Sequence, residues 1–233
     1  MSESLATVLV PGLLTSPRLY APQLPQLWTF GPVMIADNTR DDSMCTIAKR
    51  ILADAPARFA LVGLSMGGYI SFEIMRQAPD RVVKLALLDT TARLDLPAQS
   101  ERRRAQIALA QSGRFGELPA LLLPSLVHRS RQNDTELTGI VRQMMEDVGP
   151  HNFVRQQAAI ISRVDSRPTL ATIRCPTLVL VGDADTLTPP DRATEMADGI
   201  SGARLVVVPN SGHLSPLEQP VRVTRALMDW LRR

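Results

Sequence analysis

The sequence predicts an α/β protein, a mainly parallel sheet with helices on both faces and a helical block inserted between two of its strands. Three observations carry this. Short apolar, β-branched runs recur at residues 6–10, 33–36, 59–62, 82–88, 177–181 and 204–208. Strands this uniformly apolar are buried on both faces, as in parallel sheets. Segments with helical spacing separate most of them, which is the βαβ pattern. Between residues 92 and 170 the strand pattern stops and only helical patterns appear.

In chain order, the run at 6–10 is ended by Pro11-Gly12 and followed by the loop Leu13-Leu14-Thr15-Ser16-Pro17. A short helix is expected around residues 20–27, then the strand at 33–36, closed by Asp37-Asn38. Residues 42–54 carry apolar positions at Met44, Ile47, Ala48, Ile51 and Leu52, with Asp42 or Ser43 as the N-cap of a helix. The strand at 59–62 leads into Gly63-Leu64-Ser65-Met66-Gly67, and a helix is expected over residues 66–77. Residues 98–112, 114–127, 134–147 and 150–163 read as the four helices of the insertion. Helices over residues 190–199 and 221–231 accompany the last two strands. The domains are therefore a core of residues 1–91 and 171–233 and a cap of residues 92–170.

Composition excludes several functions. The net charge of +3 is almost all arginine, since Lys49 and Lys84 are the only lysines, and it is spread among acids. Aromatic residues make up only 4% of the chain, too few for base-stacking platforms, so no nucleic-acid partner is expected. Cys45 and Cys175 follow no metal or redox spacing and read as small, partly buried thiols. The N-terminal run beginning Met1-Ser2-Glu3-Ser4 lacks a basic leader, and no stretch reaches the length of a membrane span. The expectation is a cytoplasmic protein, monomer or homodimer, without membrane, metal or cofactor.

The chemistry is expected at Ser65. It lies in the pattern G-x-S-x-G, between an apolar strand and a helix. Such a turn is sharp and strained, so glycines must flank it where side chains would clash. It lifts the hydroxyl above the sheet, at a helix N-terminus whose amides can hold an oxyanion. A serine needs a general base and an orienting carboxylate. Of the three histidines, His128 and His151 fall inside the helical block and read as surface or helix-end residues. His213 follows the last strand, at the sheet end where open parallel sheets bind ligands. Asp185, just after the strand at 177–181, is the leading candidate for the acid, with Asp183 and Asp89 as alternatives. The amides of Leu13, after the first strand, and Met66 are the expected oxyanion donors. Leu14, Tyr69 and Leu214, beside these residues, and Leu122 and Met144 in the insertion are expected to line an acyl pocket. Leu121, Leu123 and Met145 share that reading, with lid core as the competing one. Arg102-Arg103-Arg104 reads as a solvated helix face, with carboxylate or phosphate recognition as the alternative.

These pieces resemble the α/β-hydrolase superfamily, in its lidded, carboxylesterase-like branch. The resemblance rests on Gly63-Leu64-Ser65-Met66-Gly67-Gly68, Pro79-Asp80-Arg81-Val82, Gly182 to Asp185 with Thr188-Pro189, and Gly212-His213 with Glu218-Gln219-Pro220. It implies an α/β-hydrolase fold with six parallel strands, because the first run here corresponds to the family's third strand. It also implies cleavage of small-to-medium carboxylic esters through an acyl-enzyme. Carbon–carbon bond hydrolases or lyases, thioesterases and non-catalytic ligand sensors share the scaffold. One departure stands out: the family carries His-Gly where this chain has Pro11-Gly12.

Overall fold

The computed structural model describes residues 4–233, and the first three residues of the N-terminal run lie outside the described residues. The strands are β1 (Thr7–Val10), β2 (Val33–Ile35), β3 (Phe59–Leu64), β4 (Val82–Leu88), β5 (Thr177–Gly182) and β6 (Arg204–Val208). They form one six-stranded sheet in the order β2-β1-β3-β4-β5-β6. Every pairing is parallel. The fold class expected from the sequence is the one observed.

Alternation along the strands builds two cores. Leu9, Val62, Leu88 and Leu180 face one side of the sheet, with Leu227 and Trp230 packed beneath them. Val8, Val10, Leu61, Leu87 and Val181 face the other, against Ile47, Ile70 and Met196. The central strands β1, β3 and β5 are buried along their whole length. The edge strands β2 and β6 are only half-covered, and Val207 is 48% exposed. The reading of every run as buried on both faces therefore holds for the centre and fails at the edges, where one side has no neighbouring strand.

The helices are α1 (Leu24–Leu27), α2 (Met44–Asp54), α3 (Met66–Gln77), α4 (Pro97–Leu109), α5 (Leu118–Leu126), α6 (Thr135–Ile161), α7 (Arg167–Leu170), α8 (Pro190–Gly199), α9 (Ser215–Glu218) and α10 (Pro220–Arg232). Ser43 caps α2, its hydroxyl accepting from the Thr46 amide. Three expectations shift. The helix expected over residues 20–27 is a short turn at Pro17–Tyr20 followed by α1. The helix expected over 98–112 ends earlier, because Gly113 adopts φ 80 in a widened turn. The helices expected over 134–147 and 150–163 abut, broken only at Gly149, where φ is 72 and Pro150 follows. The block from α4 to α6 contributes to the cavity at Ser65, yet Ala159 and Ile160 at the end of α6, like Leu170 of α7, already pack into the sheet's own core. Among the described residues, no helix is long and apolar enough to cross a membrane.

Topology places the site. The strand order reverses direction between β1 and β3, and ligands in open α/β sheets bind at the carboxyl ends of such a switch point. Val10 pairs with Gly63 there, so the loop after β1 and the turn at Ser65 open side by side.

Candidate active site

Ser65 sits between β3 and α3 with φ 54 and ψ −113, outside the regions that side-chain-bearing residues favour. The neighbouring packing holds it there. The Ser65 amide donates to the Leu88 carbonyl at 3.0 Å, and Thr90 Oγ1 donates to the Ser65 carbonyl at 2.7 Å. A Cβ on Gly63 would overlap the Gly67 carbonyl, and one on Gly67 would overlap that of Val10. These are the two glycines of the pattern, required here by backbone approaching backbone.

His213 arrives from the loop after β6. Its Nε2 lies 2.8 Å from Ser65 Oγ, and its Nδ1 lies 2.8 Å from Asp185 Oδ2. Both partners are buried, Asp185 at 2% and His213 at 3% exposure. Asp185 is held from behind: its Oδ1 accepts from the Leu187 and Thr188 amides, and Thr188 Oγ1 donates to its Oδ2. Burial by itself raises the Asp185 pKa, but His213 and these donors outweigh it and hold the carboxyl below the usual carboxylate range. Burial likewise depresses the imidazole, and the Asp185 charge overcomes it, so the His213 pKa ends above its ordinary value.

The two alternative acids do other work. Asp183 Oδ1 accepts from the Ser211 amide at 3.1 Å and braces the loop carrying His213. Asp89 accepts from the Gly182 amide and from Ser215 Oγ, joining the end of β5 to the start of α9. Burial, then the nearby Asp185 charge, pushes the Asp89 pKa well above the carboxylate range.

The loop after β1 lies against the serine, where a Cβ on Gly12 would stand 3.3 Å from Ser65 Cβ. Neither the Leu13 nor the Met66 amide donates to any acceptor among the described residues. The Leu14 amide does, to Gln156 Oε1 at 3.1 Å. Gln156 in turn donates to Asn38 Oδ1, and Asn38 Nδ2 donates to the Pro11 carbonyl at 2.8 Å. This buried Asn38–Gln156 chain supports the loop where the family's histidine is missing. Sequence reasoning passed over both residues. A signal existed for Gln156, a polar residue on a helix face otherwise shared by Phe153 and Ile160. Gln156→Leu leaves the Leu14 amide and the Asn38 carbonyl unpaired in the interior. It is expected to lower unfolding stability in urea by about 1–3 kcal/mol.

Glu218, quoted above within a motif but given no role, is buried and accepts from the Gly212 and His128 amides. His128 therefore meets the site through its backbone, while its ring faces Ser130. His151 is exposed.

Above Ser65 opens a cavity of about 700 Å³, a size suited to small-molecule ligands. Leu14, Tyr69, Leu122 and Leu214 line it, with Leu121 and Met145. Met144 and Leu123 do not, and this corrects the expectation for Met144. Both methionines are buried in the same core, but consecutive helical residues point about 100° apart, so Met145 also reaches the cavity and Met144 does not. Arg102 and Arg103 line the cavity and Arg104 does not, so the arginine run is not simply a solvated face. No group of three or more His, Cys, Asp or Glu residues among the described residues could hold a metal ion.

A family profile described as the alpha/beta hydrolase family matches residues 5–226. The chain belongs to the alpha/beta hydrolase family. This hydrolase is 30% identical over 181 residues to BpoC of Mycobacterium tuberculosis, provisionally named a non-heme bromoperoxidase; the match covers 75% of this chain and 67% of that protein. It is 25% identical over 201 residues to a pimeloyl-[acyl-carrier protein] methyl ester esterase of Neisseria meningitidis, covering 82% of this chain and 78% of the relative. Among solved structures it is similar to a thermophilic esterase from Thermogutta terrifontis, with a TM-score of 0.89 and 32% identity over 98% of this chain and 89% of that one.

Proposed function

We propose that this hydrolase cleaves carboxylic esters through an acyl-enzyme formed on Ser65. The observation that carries the reading is the unbroken run of contacts from Asp185 through His213 to Ser65, with two unclaimed amides beside the serine. Ser65 attacks the ester carbonyl while His213 Nε2 takes its proton. Asp185 keeps the Nδ1 proton in place and stabilises the imidazolium. The Leu13 and Met66 amides receive the oxyanion, and loss of one such donor typically costs a factor of about 10²–10³. Collapse of the intermediate expels the alcohol, which takes the proton from His213. Water then repeats the sequence in reverse and releases the acid. The esterase relatives from Neisseria and Thermogutta support the choice of bond.

A fluorophosphonate probe is expected to label Ser65 stoichiometrically, and labelling is expected to fail in His213→Ala. The same protein is expected to turn over p-nitrophenyl esters faster than a vinylogous diketo acid. Preference for the diketo acid would move the assignment to carbon–carbon bond cleavage. Absence of labelling beside tight ligand binding would point to a sensor.

A further inference from the structure

The cavity lining is of two chemical kinds. One is apolar: leucines, Met145 and Tyr69. The other is charged: among the described residues five arginines line the cavity, Arg93, Arg102, Arg103, Arg163 and Arg192, with one carboxylate, Asp95.

The pairing of these groups is uneven. Arg93 is satisfied by Glu195 in a bidentate contact, and Arg192 lies 3.3 Å from Asp191. Asp95 alone serves two arginines, Arg103 at 2.6 Å and Arg163 at 2.8 Å. That trio is buried: the side chains of Asp95 and Arg163 are each 6% exposed and that of Arg103 20%. Arg102 has no carboxylate within ion-pair distance among the described residues. The lining therefore carries net positive charge, from buried Arg103 and Arg163 sharing one Asp95 and from exposed, unpaired Arg102, and charge of one sign lining a cleft draws anions toward it.

The charge is also well placed relative to the nucleophile. Tyr69 lies one helical turn after Ser65, about 6 Å along the axis of α3. The Arg163 guanidinium stacks over its ring at 4.2 Å from the centroid. That stacking and the contacts of Arg163 to the Arg93 and Ile160 carbonyls hold its guanidinium beside Tyr69. An ester bound at Ser65 therefore shares one cavity with these arginines.

We propose that this charged lining is a binding subsite for a carboxylate, and that the enzyme prefers esters carrying a remote carboxylate over neutral esters of the same shape. Arg102 and Arg103 supply the recognising guanidiniums, and Asp95 holds Arg103 and Arg163 in place. The proposal rests on the ester-hydrolase reading and narrows its substrate class.

The test compares the mono-p-nitrophenyl esters of adipic, pimelic and suberic acids with their isosteric ω-amides. At low ionic strength kcat/KM for the best carboxylate is expected to exceed that of its amide by about tenfold, and added salt is expected to shrink the ratio. Arg102→Gln and Arg103→Gln are each expected to lower the carboxylate-to-amide ratio by about fivefold, mainly through KM. Arg104→Gln, outside the cavity, is expected to leave the ratio as it is. The exposed Arg102 position keeps the test valid should Arg103→Gln fold poorly. A ratio near one in the unmodified enzyme, or one that Arg102→Gln does not change, overturns the proposal while the ester-hydrolase reading stands. Should no ester be turned over and Ser65 resist labelling, that reading fails. Calorimetric titration of Ser65→Ala with adipate then decides the subsite separately: binding weakened by Arg102→Gln supports it, and no binding overturns it.

Discussion

Ser65→Ala is expected to lower kcat for p-nitrophenyl esters by a factor on the order of 10⁴ or more, with the melting temperature nearly unchanged. The two halves of this expectation have separate causes. Loss of Oγ removes the proposed nucleophile, the atom that lies 2.8 Å from His213 Nε2. Alanine keeps the Cβ, so the backbone at φ 54 is neither relieved nor further strained. Ser65→Gly separates the effects: it should be equally inactive yet more stable, because glycine accepts a positive φ that costs a side-chain-bearing residue about 1–3 kcal/mol. Steady-state kinetics and thermal melts on the two variants check both statements. Near-native turnover by Ser65→Ala would remove the serine from the mechanism.

Asp185→Asn is expected to lower kcat/KM by a factor on the order of 10⁴ through the wrong histidine tautomer. The Leu187 and Thr188 amides both donate to Oδ1, so they hold the asparagine oxygen at that position. The new NH₂ group then faces His213 Nδ1 and donates to it. His213 must carry its proton on Nε2, where it cannot accept one from Ser65. The pH profile adds an independent reading. In the native enzyme Asp185 holds the His213 pKa above its ordinary value, so activity is lost as pH falls through that raised value. Without the aspartate charge, burial dominates and the acid limb of the residual activity moves to lower pH. Measuring kcat/KM from about pH 5 to 9 for both proteins checks the sign of that shift. Asp183→Asn is the control: its carboxylate contacts Ser211 rather than the imidazole, so a comparable loss there would transfer the role to Asp183.

Much of this site is legible as local pattern. The glycines around Ser65 are demanded by the turn itself, and the structure shows which backbone carbonyls exclude a side chain there. His213 and Asp185 are recognisable because each follows an apolar strand, and parallel strands deliver their following loops to one end of the sheet. The supporting residues are different in kind. Asn38 and Gln156 are 118 positions apart, and nothing near either residue indicates that they meet. Glu218 and His128 are joined across 90 positions, by a side chain to a backbone amide.

The arginines mark the boundary most clearly. Arg102-Arg103-Arg104 is one run of identical side chains, and composition cannot rank its members. Helical rotation and the packing of α4 on α6 turn two of them toward the cavity and leave the third outside. Met144 and Met145 are separated in the same way. Strand order of appearance, the turn at Ser65 and the placement of His213 and of an aspartate pair after the strand at 177–181 were already determined by the sequence, because each depends on backbone sterics or on period-two burial within a few residues. The support of the loop after β1, the choice between Asp185 and Asp183 as the partner of His213, and the charge of the cavity wall were decided by the folded chain. Each depends on distances between segments far apart in sequence, which only packing sets.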